Sequence, residues 1–182
     1  VARYKVEDAL TLRQLYLYLI SNVSSRFSFN SLKKFTDVKS VNTIKKFIGY
    51  LEQTYFATTI NKFDYSFKKQ VVNDKKLYLA DNGFINVLSR TFSKDKGKLL
   101  ENLVFTNLNT DYEVTYFTDS KSECDFVAAK NRQVLCAIQV CYEINEKNRE
   151  RELNGLLAAM KEYDLKEGLL LTNAQEEEIK IN

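Results

Sequence analysis

Apolar positions in the first half of the chain fall at helical spacing in three successive stretches. In EDALTLRQLYLYLI (residues 7–20), Leu12, Leu15, Tyr16 and Leu19 share one face. A polar break at Ser21–Arg26 precedes FSFNSLKKFTDV, a short helix with Leu32 and Phe35 inward and Lys33 and Lys34 outward. After a turn at Asp37–Lys39, Ser40 supplies an N-cap for SVNTIKKFIGYLEQ. There Val41, Ile44, Ile48 and Leu51 line one face and leave Asn42, Thr43, Lys45 and Lys46 to solvent. The pattern then changes. YFATTI and KLYLA are β-branched and aromatic and predict strands. NKFDYSFKKQVVND between them reads as a loop, and DNGFINVL as a turn into a short helix.

SRTFSKDKGK is polar, and the domain boundary is placed there, near residue 92, giving domains 1–92 and 93–182. Beyond it GKLLENLVFTNL predicts a helix with a broad apolar arc, and YEVTYFT, ECDFVAAK and QVLCAIQVCYEI predict three strands. On the last, read as long, Val134, Cys136, Ile138, Val140, Tyr142 and Ile144 form an apolar face. The opposite face begins with Leu135 and Ala137 and turns polar at Gln139, Cys141 and Glu143. A second helix from Asn145 to Tyr163 carries Leu153, Leu156, Leu157 and Met160 on one face, behind a solvated first turn, EKNRERE. EGLLLT is a short buried strand, and EEEIKIN can start one more. The fold class is α+β or α/β, with the second half a sandwich of helix, three-strand meander, helix and strand. The first half is a helix-turn-helix followed by a hairpin, the pattern of a winged helix.

Three polar side chains stand where these elements bury apolar ones: Glu101, Asp125 and Gln139. At roughly 100° per residue, Glu101 lies about 20° from Leu108 and about 40° from Phe105, inside the apolar arc. A carboxylate taken out of water without a partner costs several kcal/mol. Such acids usually meet a cation or serve chemistry.

Composition removes several chemistries. Without histidine, Ser-His-Asp and Cys-His nucleophiles and HExxH zinc sites are excluded, and no Walker A loop surrounds any of the five glycines. Cys124, Cys136 and Cys141 lack CxxC spacing and read as reduced thiols of a cytoplasmic protein. No apolar run approaches the ~20 residues of a membrane helix, so no membrane partner is expected. The chain opens on Val1 without a signal peptide and is read as a fragment whose N-terminal part lies elsewhere. The net charge of +3 conceals a division. Residues 1–90 hold 15 Lys and Arg against 7 Asp and Glu, and residues 91–182 hold 12 against 17. The basic half is the candidate for a polyanion. On a winged helix, Lys39, Asn42, Thr43, Lys45 and Lys46 would meet the major groove, with Lys68 and Lys69 on the wing. The chain lacks tryptophan, and the sequence alone predicts no clear base-stacking platform among its aromatics.

The order GKLLENLVF, ECDFV, IQVCYE resembles the PD-(D/E)xK nuclease superfamily, with Glu101, Asp125 and Gln139 at its helix acid, strand acid and E/Q positions. Over nearly the whole chain, FSFNSLKKF, SVNTIKKFIGYLEQTY, KKLYLADNGF and these later motifs resemble one family in particular. It is the C-terminal region of bacterial and archaeal AAA+ ATPases, a domain of unknown function. The resemblance implies a winged helix followed by a restriction-endonuclease-like domain, and an ATP-binding module ahead of Val1. It also implies a site for Mg²⁺ or Mn²⁺ at Glu101, Asp125 and Gln139. One departure matters. Cys141 stands two residues after Gln139, where the superfamily has its lysine, and a thiol cannot neutralise charge developing on phosphate. The leading reading is therefore a non-catalytic module that binds duplex or structured DNA, or a protein partner. The alternative is a Mg²⁺-dependent nuclease whose lysine has migrated to Lys98, Lys121 or Lys130. A third reading is self-association that regulates the ATPase.

Overall fold

Local capping sets the helices of the first part of the chain. The structure is a computed structural model that describes residues 8–88 and 95–178. The expected boundary near residue 92 lies outside these residues. By its internal packing the chain divides into two units, Val1–Thr106 and Asn107–Asn182, each of mixed α and β structure.

In the first unit the Asp8 carboxylate accepts from the Thr11 amide at 2.9 Å and opens α1 (Ala9–Ser21). A two-residue strand follows, β1 (Arg26–Phe27), at the end of the expected polar break. Ser28 and Ser31 cap each other's backbone in a capping box at the start of α2 (Phe29–Thr36). Ser40 accepts from the Asn42 amide at 3.1 Å and opens α3 (Val41–Gln53), as its position predicts. Leu12, Leu15, Leu19, Leu32, Ile44, Ile48 and Leu51 then meet in one core with Leu77 and Leu79.

One inward assignment changes, and one buried residue is added that the sequence reading left unassigned. Phe47 is buried, while Phe35 is exposed and lies against Tyr18 with ring centroids 4.3 Å apart. The helix α2 spans eight residues and buries Leu32. A position three further on is turned about 60° away, at the rim of that narrow face.

β2 (Ala57–Asn61) and β1 both pair antiparallel with β3 (Lys75–Leu79), giving the order β1-β3-β2. The connection expected to be a loop contains a helix, α4 (Phe67–Val72). Its periodicity gives no warning because none of its residues is buried. Hydrogen bonds build it instead: Asp64 Oδ1 accepts from the Ser66 amide at 2.8 Å, and the Gln70 side chain donates to the Asp64 carbonyl at 2.6 Å. After β3 come α5 (Asn82–Leu88) and α6 (Lys96–Leu108). Asn102, fully buried on α6, works as a clamp. Its Oδ1 accepts from the Leu79 amide at 2.8 Å, and its Nδ2 donates to the Leu79 carbonyl at 3.0 Å and to Asn82 Oδ1 at 2.9 Å.

The second unit holds a four-stranded sheet in the order β4-β5-β6-β7. β4 (Glu113–Thr118), β5 (Glu123–Lys130) and β6 (Gln133–Val140) run antiparallel, and β7 (Gly168–Leu171) joins β6 in parallel after the crossover helix α7 (Arg149–Glu162). Asn131 and Arg132, at φ 53° and 65°, make the tight turn between β5 and β6. α7 packs on β5, β6 and β7.

The expected long strand is shorter than its apolar pattern. β6 ends at Val140, so Tyr142 and Ile144 lie beyond it. The ladder with β5 runs only as far as Phe126↔Ile138, after which side chains replace backbone pairing. α7 likewise begins at Arg149 rather than Asn145, after a turn whose Asn148 side chain accepts from the Asn145 amide. Among the described residues no helix is long and apolar enough to cross a membrane.

Candidate functional site

At the frayed end of the β5–β6 ladder four polar side chains come together. The Asp125 amide donates to Gln139 Oε1 at 3.2 Å, and Asp125 Oδ2 accepts from the Val140 amide at 3.0 Å. Each side chain thus completes the other strand's backbone. Gln139 Nε2 then reaches α7 and donates to Glu152 Oε2 at 2.7 Å. The remaining Glu152 oxygen takes the guanidinium of the exposed Arg151, with Nε at 3.0 Å. Asp125, Gln139 and Glu152 are all buried.

Cys141, two residues after Gln139, adds no positive charge. Burial, and then the Glu152 carboxylate, push its thiol above the ordinary range and keep it neutral. Its Sγ donates to the Glu143 carbonyl at 3.2 Å. Arg151 is the cation that this cluster does hold, and its hydrogen bond to Glu152 raises its pKa further.

These donors do not fit a divalent cation. The Gln139 oxygen and one Asp125 oxygen are turned to backbone amides, and Glu152 faces an amide nitrogen and a guanidinium. Among the described residues no group of Cys, Asp and Glu side chains is assembled to hold a metal ion.

Of the three site residues read from the sequence, Asp125 and Gln139 meet in the second unit. Glu101 belongs to the first. There it accepts from the Tyr78 hydroxyl at 2.6 Å and lies 3.4 Å from the Lys76 ammonium. Lys76 is 2% and Glu101 13% exposed, so this is a largely buried ion pair. Of the lysines considered as migrated, Lys98 lies on α6 and Lys121 in the exposed β4–β5 turn. Lys130 ends β5 at the far end of the strand, with its ammonium 5.8 Å from the Tyr112 ring.

The sequence reading missed Glu152, Arg151, Lys76 and Tyr78. It took Leu153, Leu156, Leu157 and Met160 as the inner face of α7, whereas Glu152, Gly155, Leu156 and Ala159 are buried. Steps of three and four from Ala159 back to Glu152 would have located the acid. Likewise Lys76 and Tyr78 alternate with apolar residues in a strand buried on both faces.

On the first unit Lys39, Asn42, Lys45 and Lys46 are exposed around the start of α3, and Thr43 is half-buried. Lys68 and Lys69 are exposed on α4, where Lys69 lies 3.8 Å from Asp64. The Phe29 ring joins the two regions, with the Lys45 ammonium 5.3 Å and the Lys75 ammonium 5.7 Å from its centroid. Burial lowers the Lys75 pKa, Glu52 opposes this, and the Lys45 charge adds to it.

The chain is 34% identical over 167 residues to the uncharacterized protein MJ1544 of Methanocaldococcus jannaschii, a match covering 88% of this chain and 36% of that one. It is 28% identical over 156 residues to an uncharacterized protein of Haemophilus influenzae, covering 82% and 38%. The chain therefore spans little more than a third of the length of these relatives. No solved structure matches it. A family model described as a domain of unknown function, DUF8612, matches residues 2–95. That match takes in more than half of the chain, and the protein belongs to the DUF8612 family.

Proposed function

We propose that this chain is a non-catalytic nucleic-acid-binding module, a winged helix joined to a nuclease-like scaffold. The carrying observation is α3. Ile44, Phe47, Ile48 and Leu51 anchor it in the core, while Asn42, Lys45 and Lys46, with Lys39 just ahead, face solvent. A helix so held can enter a major groove with amide and ammonium groups leading. The element order and the β1-β3-β2 sheet support a winged helix in the first unit. Helix, three antiparallel strands, helix and a parallel fourth strand support a nuclease-like scaffold in the second.

The absence of catalysis is inferred from the Asp125 cluster. Its acids are engaged by backbone, amide and guanidinium groups, and a neutral thiol stands at the lysine position. On the resemblance to AAA+ ATPase tails, the module would work beside an ATP-hydrolysing one in the cytoplasm. Its three cysteines are free thiols, which agrees with a reducing compartment.

Fluorescence anisotropy with a labelled blunt DNA duplex tests the reading. Log affinity should fall linearly with log salt. Lys45→Ala/Lys46→Ala should weaken binding and flatten the slope by about 0.9 for each phosphate that is no longer neutralised. No association at low salt, or an unchanged double variant, would sink it. Mg²⁺-dependent cleavage abolished by Asp125→Ala would put a nuclease, with Arg151 as its cation, in its place.

A further inference from the structure

The connection between β2 and β3 shows two aromatic rings to solvent: Tyr65 is 83% exposed and Phe67 is 77% exposed. Exposed rings on a slack loop would mean little, but this connection is tied down. Asp64 caps the Ser66 amide, Gln70 holds the Asp64 carbonyl, and Lys69 pairs with the Asp64 carboxylate. At the other end Lys75 Nζ donates to Asn61 Oδ1 at 2.6 Å and to the Gln70 carbonyl at 3.2 Å. The Phe63 ring supports Tyr65 edge-on, with centroids 5.2 Å apart. A segment with no buried residue in its helix is therefore built from polar bonds, and its effect is to hold two rings outward.

The chemistry around the rings narrows what they meet. Lys68 is exposed beside them and Lys62 partly so, Lys69 is exposed but shares its charge with Asp64, and Val71 and Val72 are the exposed apolar residues of the same helix. Rings interleaved with ammonium groups suit nucleotides, whose bases stack on the rings while the phosphates meet the cations. The same edge of the unit leads through Lys75 and Phe29 to Lys45 on α3. Bases inside a duplex are not available for stacking on a side chain, but those of an unpaired strand are.

We infer that Tyr65 and Phe67 form a stacking platform for unpaired nucleotides adjoining the duplex held by α3, so that the module selects duplexes with a single-stranded tail. This rests on the nucleic-acid reading above and names its substrate class.

The test compares a blunt duplex with the same duplex carrying an oligo-dT tail, in anisotropy on the whole chain. A 2-aminopurine in the tail reports stacking directly. The wild type should bind the tailed duplex at least about tenfold more tightly, the size expected for a single stacked base, and quench the probe. Tyr65→Ala/Phe67→Ala should remove both the preference and the quenching while leaving blunt-duplex affinity unchanged. Both side chains are exposed, so the variant should keep its circular dichroism and melting temperature. Equal binding of the two probes by the wild type would overturn the platform and spare the DNA reading. Binding of neither would overturn both. A double variant whose sedimentation changes while its tail preference stays would show the rings to be an interface between copies, and would overturn the platform as well.

Discussion

Glu101→Ala lowers the stability of the first unit by about 3–5 kcal/mol, the cost of breaking a buried ion pair from one side. The carboxylate lies 3.4 Å from the ammonium of Lys76, which is 2% exposed, and it accepts the Tyr78 hydroxyl at 2.6 Å. Truncation leaves the ammonium in a low-dielectric setting without that carboxylate, and the hydroxyl without that acceptor. Tyr78 also stacks on Phe105 of α6 with centroids 4.4 Å apart, so the loss spreads to the seat of the helix. Urea denaturation measures the effect, and hydrogen exchange at the β3 amides locates it. Lys76→Met/Glu101→Leu should recover most of the loss, because replacing both charges with apolar groups of similar size is often near neutral. If the double variant is as unstable as Glu101→Ala, the ion pair is not what Glu101 contributes. If Glu101→Ala leaves the unit as stable as before, the acid has no structural duty there, and a ligand role regains ground.

That pair shows what the sequence could and could not disclose. Glu101 was legible as an acid inside an apolar arc, since helical phase alone places it. Its partner was not, because Lys76 faces it across 25 residues and sits in KKLYL beside another lysine. The helices α1 and α3 carry side chains at helical spacing and cap residues that act locally, so both could be read. β1 could not: two residues have no period, and the strand exists only through Arg26↔Lys76 and Phe27↔Lys75. α4 had no apolar face to announce it. The Asp125 cluster was half visible. Asp125 and Gln139 interrupt apolar strands, whereas Glu152 hides among five other charged residues in EKNRERE. The pattern also overran β6, because alternation continues past the point where Asp125 and Gln139 take over the backbone's hydrogen bonds.

Gly155→Ala unseats α7 from the sheet. A methyl group there would overlap the Glu123 carbonyl oxygen and stand 3.1 Å from its carbon. Both atoms belong to the backbone at the start of β5, where Glu123 is paired with Thr118, so neither can swing aside as a side chain would. The helix must lift instead. Alanine raises intrinsic helix propensity by about 1 kcal/mol over glycine, which would favour the variant if space allowed. Overpacking against fixed backbone costs about 1–3 kcal/mol and occasionally more, and here it also disturbs Leu156 and Ala159, both buried in the next turn. A net loss of roughly 1–2 kcal/mol should lower the melting temperature of a unit this small by about 4–16 °C. Hydrogen exchange should quicken along α7 and β5. The effect reaches the polar cluster, because Glu152 lies one turn before Gly155 and its 2.7 Å bond to Gln139 depends on the helix staying down. Arg151→Ala, by contrast, removes an exposed guanidinium and should leave the melting temperature close to that of the wild type. A Gly155→Ala protein that melts at or above the wild-type temperature would mean that α7 does not approach β5 this closely. The joining of Asp125, Gln139 and Glu152 into one network would then lose its foundation.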